Sequence, residues 1–165
     1  LDNREIGGLG ISYRKSSNLY ATVPVHFLEH PNVVAHVIAG IDSVEEVIHL
    51  PFKKVLVLGY KTFGFGVEYK DARVDASIKD WYVFVRKLMD HKEVVSFDNL
   101  ALAQLNIKRF LSKDQWASFY QGEHSMYINA VEGYYAPSSR SADKTDWDAM
   151  SLAEYFQTSE LKDKD

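Results

Sequence analysis

The chain has 165 residues, 46% hydrophobic and 25% charged, a balance that suits one globular domain and excludes a disordered tail or a low-complexity scaffold. Its 19 basic and 23 acidic residues leave a net charge of −4. The basic ones are scattered, which argues against a nucleic-acid partner, and no apolar run reaches the ~18 residues of a membrane span.

Cysteine is absent. This chain alone therefore supplies no disulfide, thiolate zinc site, cysteine nucleophile or cysteine-held iron–sulfur cluster. The chain opens on Leu1 rather than Met, as a processed product or a piece of a longer polypeptide does.

The first strand signal is weak: LGISY, Leu9 to Tyr13, entered through Gly7, Gly8 and Gly10. Val25 to His30 makes a short helical piece closed by Pro31. Val33 to Ile38 (VVAHVI), Lys54 to Gly59 (KVLVLG) and Glu93 to Phe97 (EVVSF) are β-branched runs that hardly alternate, the pattern of strands covered on both faces. Between them, Ser43 to His49 reads as a helix with Asp42 as N-cap and Glu45 and Glu46 in its first turn. Asp75 to His91 is the longest helix, with Ile78, Trp81, Tyr82, Val85, Leu88 and Met89 on one face. Asn99 to Phe110 follows Asp98, and Ser112 opens another helix as a capping box with Gln115.

Beyond Gly122, Ser125 to Val131 reads as a strand that turns at Glu132-Gly133 into Tyr134 to Ala136. Pro137 to Lys144 is a polar loop. Asp146 to Phe156 reads as a last helix with Trp147, Met150, Leu152, Tyr155 and Phe156 as its apolar members. Strands alternating with helices predict an α/β fold: a partial (β/α) barrel-like parallel sheet of about four strands with a C-terminal hairpin and helix. The reading assigns residues 1–157 to one domain and 158–165 to a polar tail.

In such sheets chemistry sits at the carboxyl ends of the strands. Those ends carry Ser12 and Arg14, then Gly40, then Lys61, then Asp98 with Asn99. Asp98 suits an N-cap and also a carboxylate facing the mouth of the sheet; the two are compatible. Lys61 lies in GYKTFGFG, whose Gly59, Gly64 and Gly66 let backbone N–H groups approach an anion, although the Gly-Lys-Ser/Thr order of a Walker loop is missing. His36, inside an apolar run, is a core histidine or, facing a barrel interior, a ligand contact. His26 and His30 stand four apart with a metal-ligand spacing only in the loosest sense, and the reading assigns no metal site. No catalytic residue is assigned either.

Four strings carry a resemblance: VVAHVIAGI (33–41), KVLVLGYKTFGFG (54–66), EVVSFDNLALAQLNIKRFL (93–111) and FYQGEHSMYINAVEGYYAPSS (119–139). Together they resemble the C-terminal half of a radical S-adenosylmethionine (radical SAM) protein, of the small type found in phage and gut-bacterial genomes. The resemblance implies the last strands of a partial (β/α)₆ barrel. Ile38 and Gly40 match the I-x-G core of the family's G-x-I-x-G-x-x-E pattern beside the cofactor's adenine, with His36 and Ser43 in place of the first Gly and the Glu. It implies S-adenosylmethionine contacts at Ile38, Gly40, Lys61, Gly64 and Gly66, with Ser12, His36, Asp98 and Asn99 as substrate or acid–base candidates.

The family's C-x₃-C-x₂-C cluster loop has no counterpart here, so a [4Fe–4S] cluster must come from another segment or partner. The expectation is the cofactor and substrate side of a radical SAM-like protein, inactive without a cysteine-bearing N-terminal half. The alternative is a non-catalytic binding or structural module, phage-encoded, acting through self-association or a protein partner. A third reading is a stand-alone acid–base enzyme using Asp98, Lys61 and His36. An unpaired first strand predicts a homo-oligomer or partner chain joined near residues 1–20, with no nucleic-acid or membrane partner, in the cytoplasm of a bacterial or phage-infected cell.

Overall fold

The computed structural model describes residues 7–14, 23–117, 126–137 and 141–155. Their packing divides the chain into two compact units, Leu1–Phe110 and Leu111–Asp165. The division falls inside the stretch, 1–157, read above as one domain.

The first unit holds a parallel sheet of β1 (Leu9–Ser12), β2 (Val33–Ile38), β3 (Lys54–Leu58) and β4 (Val94–Phe97), side by side in chain order. Short α1 (Val25–Leu28) precedes β2, α2 (Val44–His49) joins β2 to β3, and α3 (Phe65–Glu68) with α4 (Ala72–His91) joins β3 to β4. After β4 come α5 (Asn99–Gln104) and a 3₁₀ turn, Ile107–Phe110. Among the described residues the strand order never reverses and gives no switch point of the doubly wound kind. The parallel α/β sheet expected from the run spacing is what the chain forms.

One face of the sheet is the core. Val33, Ala35 and Val37 of β2, Val55 and Val57 of β3 and Phe97 of β4 are buried, together with Val47 of α2 and Val74, Trp81, Val85 and Leu88 of α4. The other face differs from expectation. Val34, His36, Leu56 and Leu58 are only half-buried, and Ile38 and Val94 are exposed. The apolar runs look uniform as sequence, yet burial alternates residue by residue, because helices cover one face only among the described residues.

Helix boundaries follow cap chemistry. α2 is capped by Ser43, whose hydroxyl accepts from Glu46 N–H at 3.4 Å, and not by Asp42 as expected. α4 begins three residues earlier than the periodicity predicted, because Asp71 caps it through Arg73 and Val74 N–H at 2.8 and 3.2 Å. Its end is tied down by Lys92 Nζ, which donates to Leu50 C=O at 2.5 Å; burial holds this ammonium below its ordinary pKa. The helix expected over 99–110 breaks at Asn106, whose φ of 48° is left-handed, a conformation asparagine tolerates better than most residues.

In the second unit, α6 (Lys113–Ala117) starts at the expected capping box: Gln115 N–H donates to Ser112 Oγ at 3.1 Å and Ser112 N–H to Gln115 Oε1 at 2.9 Å. An antiparallel sheet follows, made of β5 (Tyr127–Asn129), β6 (Tyr134–Ala136) and β7 (Thr145–Asp146). The turn between β5 and β6 is held by Asn129 Oδ1, which accepts from Val131 and Glu132 N–H. Ser125, at the expected start of this strand, lies outside the described residues.

The last helix is a correction. Asp146 is not its start but a strand residue paired with Tyr134, and residues 147–149 turn. Helix begins only at Leu152, where Ser151 and Glu154 form a second reciprocal cap at 2.8 and 3.3 Å. The apolar members Trp147 and Met150 suggested one longer helix; the Ser-x-x-Glu cap was the stronger signal. Phe156 lies outside the described residues.

Candidate functional site

A cleft of about 940 Å³ opens at the carboxyl ends of the four parallel strands. Every strand contributes: Ser12 closes β1, His36 and Ile38 end β2, Leu58 and Gly59 end β3, and Asp98 follows β4. All of its lining belongs to the first unit. The position follows from topology. In a parallel sheet all strands finish on one side, so their loops converge there.

The exits of β3 and β4 are braced against each other. Asp98 Oδ1 accepts from Ala101 N–H at 2.7 Å, which caps α5, and from Gly59 N–H at 3.0 Å, which ties the end of β3 to β4. The two readings of Asp98 therefore coexist: it caps the helix and lines the cleft. Gly59 is needed for this approach, since a Cβ there would stand 2.6 Å from Ala101 N. Next along, the Gln104 amide binds both backbone groups of Tyr60, accepting from N–H at 2.9 Å and donating to C=O at 2.8 Å.

The glycine-rich loop is strapped across by a side-chain hydrogen bond. The Tyr60 hydroxyl donates to Gly66 C=O at 2.7 Å, and a Cβ on Gly66 would collide with Lys61 C=O at 1.8 Å. The strap leads into α3 and presents aromatic side chains outward. Phe65 is 78% exposed and Tyr69 70%, and both line the cleft. The Lys61 ammonium sits 5.9 Å from the Phe63 ring centroid.

The exit of β2 is organised by Asp42, the one buried charged residue among those described. Its Oδ2 accepts from Ile38 N–H at 2.7 Å, and its own N–H donates to Ile38 C=O at 3.0 Å. Its C=O accepts from the Trp81 indole N–H at 2.7 Å, which fastens this turn to α4. Gly40 within the turn has φ +103°, a conformation that favours glycine. Burial pushes the Asp42 carboxyl above its ordinary pKa. The Ile38 hydrogen bond opposes this, the Glu46 charge adds to it and the Arg14 charge opposes it.

Of the residues singled out from sequence, the cleft gathers Ser12, Arg14, His36, Ile38, Gly59, Lys61, Gly66 and Asp98. Gly40, Gly64 and Asn99 are not on its wall. The Cβ position of Gly40 faces Ile78 and Val74 of α4, so its role is close packing on the helix side. The His36 ring lies over Gly10, where a Cβ would stand 2.7 Å from Cε1. Sequence reasoning missed Asp42, Tyr60 and the aromatics Phe65 and Tyr69. For Asp42 the available signal was the adjacent Ser43: with serine as the cap, the aspartate was free for another task.

Two cationic side chains, Arg14 and Lys61, and two carboxylates, Asp42 and Asp98, thus share a wall with apolar and aromatic surface. Such a wall suits a ligand with both charge signs and a flat apolar part. Among the described residues no three His, Asp or Glu side chains form a group able to hold a metal ion. His30 Nδ1 accepts from Asn32 N–H at 3.0 Å, and His26 stacks on Phe27 at 4.4 Å. No described helix is long and apolar enough to cross a membrane.

Comparison with family models, curated proteins and solved structures finds no match to this chain.

Proposed function

We propose that this chain is the cofactor- and substrate-side part of a radical SAM-like protein, binding S-adenosylmethionine in the strand-end cleft. The observation that carries the reading is the cleft itself: about 940 Å³, at the carboxyl ends of four consecutive parallel strands, with both charge signs and exposed aromatics on one wall. S-adenosylmethionine is zwitterionic at one end, cationic at sulfur and flat at the adenine, so the residues present fit it. Ile38 and the α3 aromatics would hold the base. Arg14 or Lys61 would meet the carboxylate, and Asp98 the ammonium. When bound, the cofactor supplies an activated sulfonium. A [4Fe–4S] cluster does not fit this chain, which has no cysteine, and belongs to a cysteine-bearing N-terminal half. The reading puts the protein in the cytoplasm of a bacterial or phage-infected cell.

Equilibrium dialysis with labelled S-adenosylmethionine tests it. Saturable binding at one site per chain, weakened at least about tenfold by Ile38→Asp, is expected. No saturable binding at millimolar ligand would overturn it.

The sheet edges favour a second reading, a non-catalytic module that works by association. β1 and β4 each have one strand neighbour among the described residues, and Val94 on β4 is 45% exposed. Open parallel edges beside a half-buried face are templates for another chain: a second copy, or the cysteine-bearing half. Sedimentation over a dilution series separates the cases. A monomer at every concentration removes self-association.

A further inference from the structure

We propose that the outer face of α4 is a self-association surface, on which a second copy of this chain packs its own α4 antiparallel. The inner stripe of this helix, Val74, Trp81, Val85 and Leu88, is buried in the core. Its outer side is not polar throughout, as a solvated helix face is. Phe84 is 48% exposed and, with Ile41 at 53%, bounds a groove of about 410 Å³ between α4 and the turn that enters α2. Ala76, Ser77 and Asp80 form the α4 side of this groove. The small side chains of Ala76 and Ser77 leave room for a bulky group. A large apolar side chain beside a groove that can take another one is the pattern of an interaction surface. On the adjacent side of the helix Tyr82 has its cover within the fold, since the Arg109 guanidinium stacks on its ring at 3.7 Å.

Charge selects the occupant. Asp80 and Lys87 are exposed, and neither forms an ion pair among the described residues, whereas Arg73 is spent on Asp71 and Arg86 on Asp90. Asp80 and Lys87 stand two helical turns apart, so they lie on one stripe with opposite signs at its ends. Midway between them come Val83 and Phe84. A two-fold axis beside that point turns α4 onto a copy of itself running the other way. It sets Asp80 of each copy beside Lys87 of the other and turns each Phe84 toward the groove of the other, so every contact is made twice. An uncharged or acidic partner leaves Asp80 unanswered, while the chain itself already carries both halves of the match. One helix face per copy makes a small interface, of the weak class below about 1,200 Å². The dimer therefore forms in concentrated protein, and the dilute chain is a monomer. No residue of α4 lines the strand-end cleft, so the inference stands or falls independently of what the cleft binds.

Sedimentation equilibrium over a concentration series tests it. The wild-type chain is expected to pass from monomer to dimer between micromolar and millimolar concentration. Phe84→Ala, Asp80→Lys and Lys87→Asp are each expected to weaken dimerisation at least about tenfold, the two reversals because they set like charges together. The double variant Asp80→Lys/Lys87→Asp re-forms the pair with its signs exchanged and is expected to return to within about threefold of wild type. A wild-type chain that stays monomeric to millimolar concentration overturns the inference. A dimer that Phe84→Ala leaves unchanged overturns it too, and moves the contact elsewhere, the strand edges included. A double variant no better than the single reversals overturns the antiparallel pairing. Far-ultraviolet circular dichroism checks that each variant folds; where a charge variant does not, Phe84→Ala against wild type decides, and where Phe84→Ala does not, the charge exchange decides.

Discussion

Replacing Trp81 by Phe attacks the fold and the site at one point. Trp81 is fully buried in α4, and its indole N–H donates to Asp42 C=O at 2.7 Å. Phenylalanine keeps an aromatic ring but removes this donor and part of the volume. The orphaned buried carbonyl costs about 1–3 kcal/mol. The lost ring atoms and residual void add about 1–2 kcal/mol, by analogy with large-to-small core changes. The expected total is about 2–5 kcal/mol, toward the large end for a single substitution. In a unit of this size that lowers Tm by roughly 10–20 °C.

Urea unfolding followed by far-ultraviolet circular dichroism measures the loss without relying on tryptophan emission, which the substitution itself alters. Val83→Ala is the control: Val83 lies on the same helix, is 63% exposed, and should change stability by less than about 0.5 kcal/mol. A Trp81→Phe protein as stable as that control would mean that no buried carbonyl depends on the indole, and the account of the β2 exit would be wrong.

Gln104→Met, similar in volume, strands the N–H and C=O of Tyr60, and is expected to cost about 2–4 kcal/mol and to speed proteolysis of the 60–69 strap; unchanged cleavage rates would show that the strap does not depend on this clamp. Gly59→Ala puts a Cβ 2.6 Å from Ala101 N and should lower the urea midpoint by the equivalent of about 1–3 kcal/mol; an unchanged midpoint would mean that β3 and α5 are not in close approach. Asp42, with a raised pKa, binds its proton more tightly folded than unfolded, so its contribution is full below the ordinary 3.8 and is lost as pH rises through the raised value. Asp42→Asn should therefore compare better with wild type at neutral pH than in acid, and a difference independent of pH would refute the burial.

The order of elements was legible because it rests on run lengths and composition. VVAHVI, KVLVLG and EVVSF are too short for helices and rich in β-branched residues, and all three became strands of one parallel sheet. What those runs could not disclose is which face stays open. In β2 the half-buried His36 and the buried Val37 stand side by side, and the difference comes from α2 and α4 packing on one side only. Boundaries failed where apolar spacing was preferred to capping. Asp71 and Ser151 each set a helix start that the apolar residues alone misplaced, and at α2 the cap is Ser43 rather than Asp42.

Topology is also why half of the site was legible. Once parallel strands are assigned, their carboxyl ends are known, and Ser12, Ile38, Lys61 and Asp98 can be named without coordinates. Gly40 shows the limit of that argument, since a residue at a strand end can turn toward either side, and this one packs on α4. Asp42 escaped for the opposite reason. Its sequence neighbourhood offers a complete local explanation as a helix cap, and only the long-range bond from Trp81, 39 residues away, reveals that it is held inside instead. A local motif that explains a residue fully hides any second role for it. Carboxylates beside an alternative cap, as Asp42 is beside Ser43, are thus where sequence reading of a strand end should look twice.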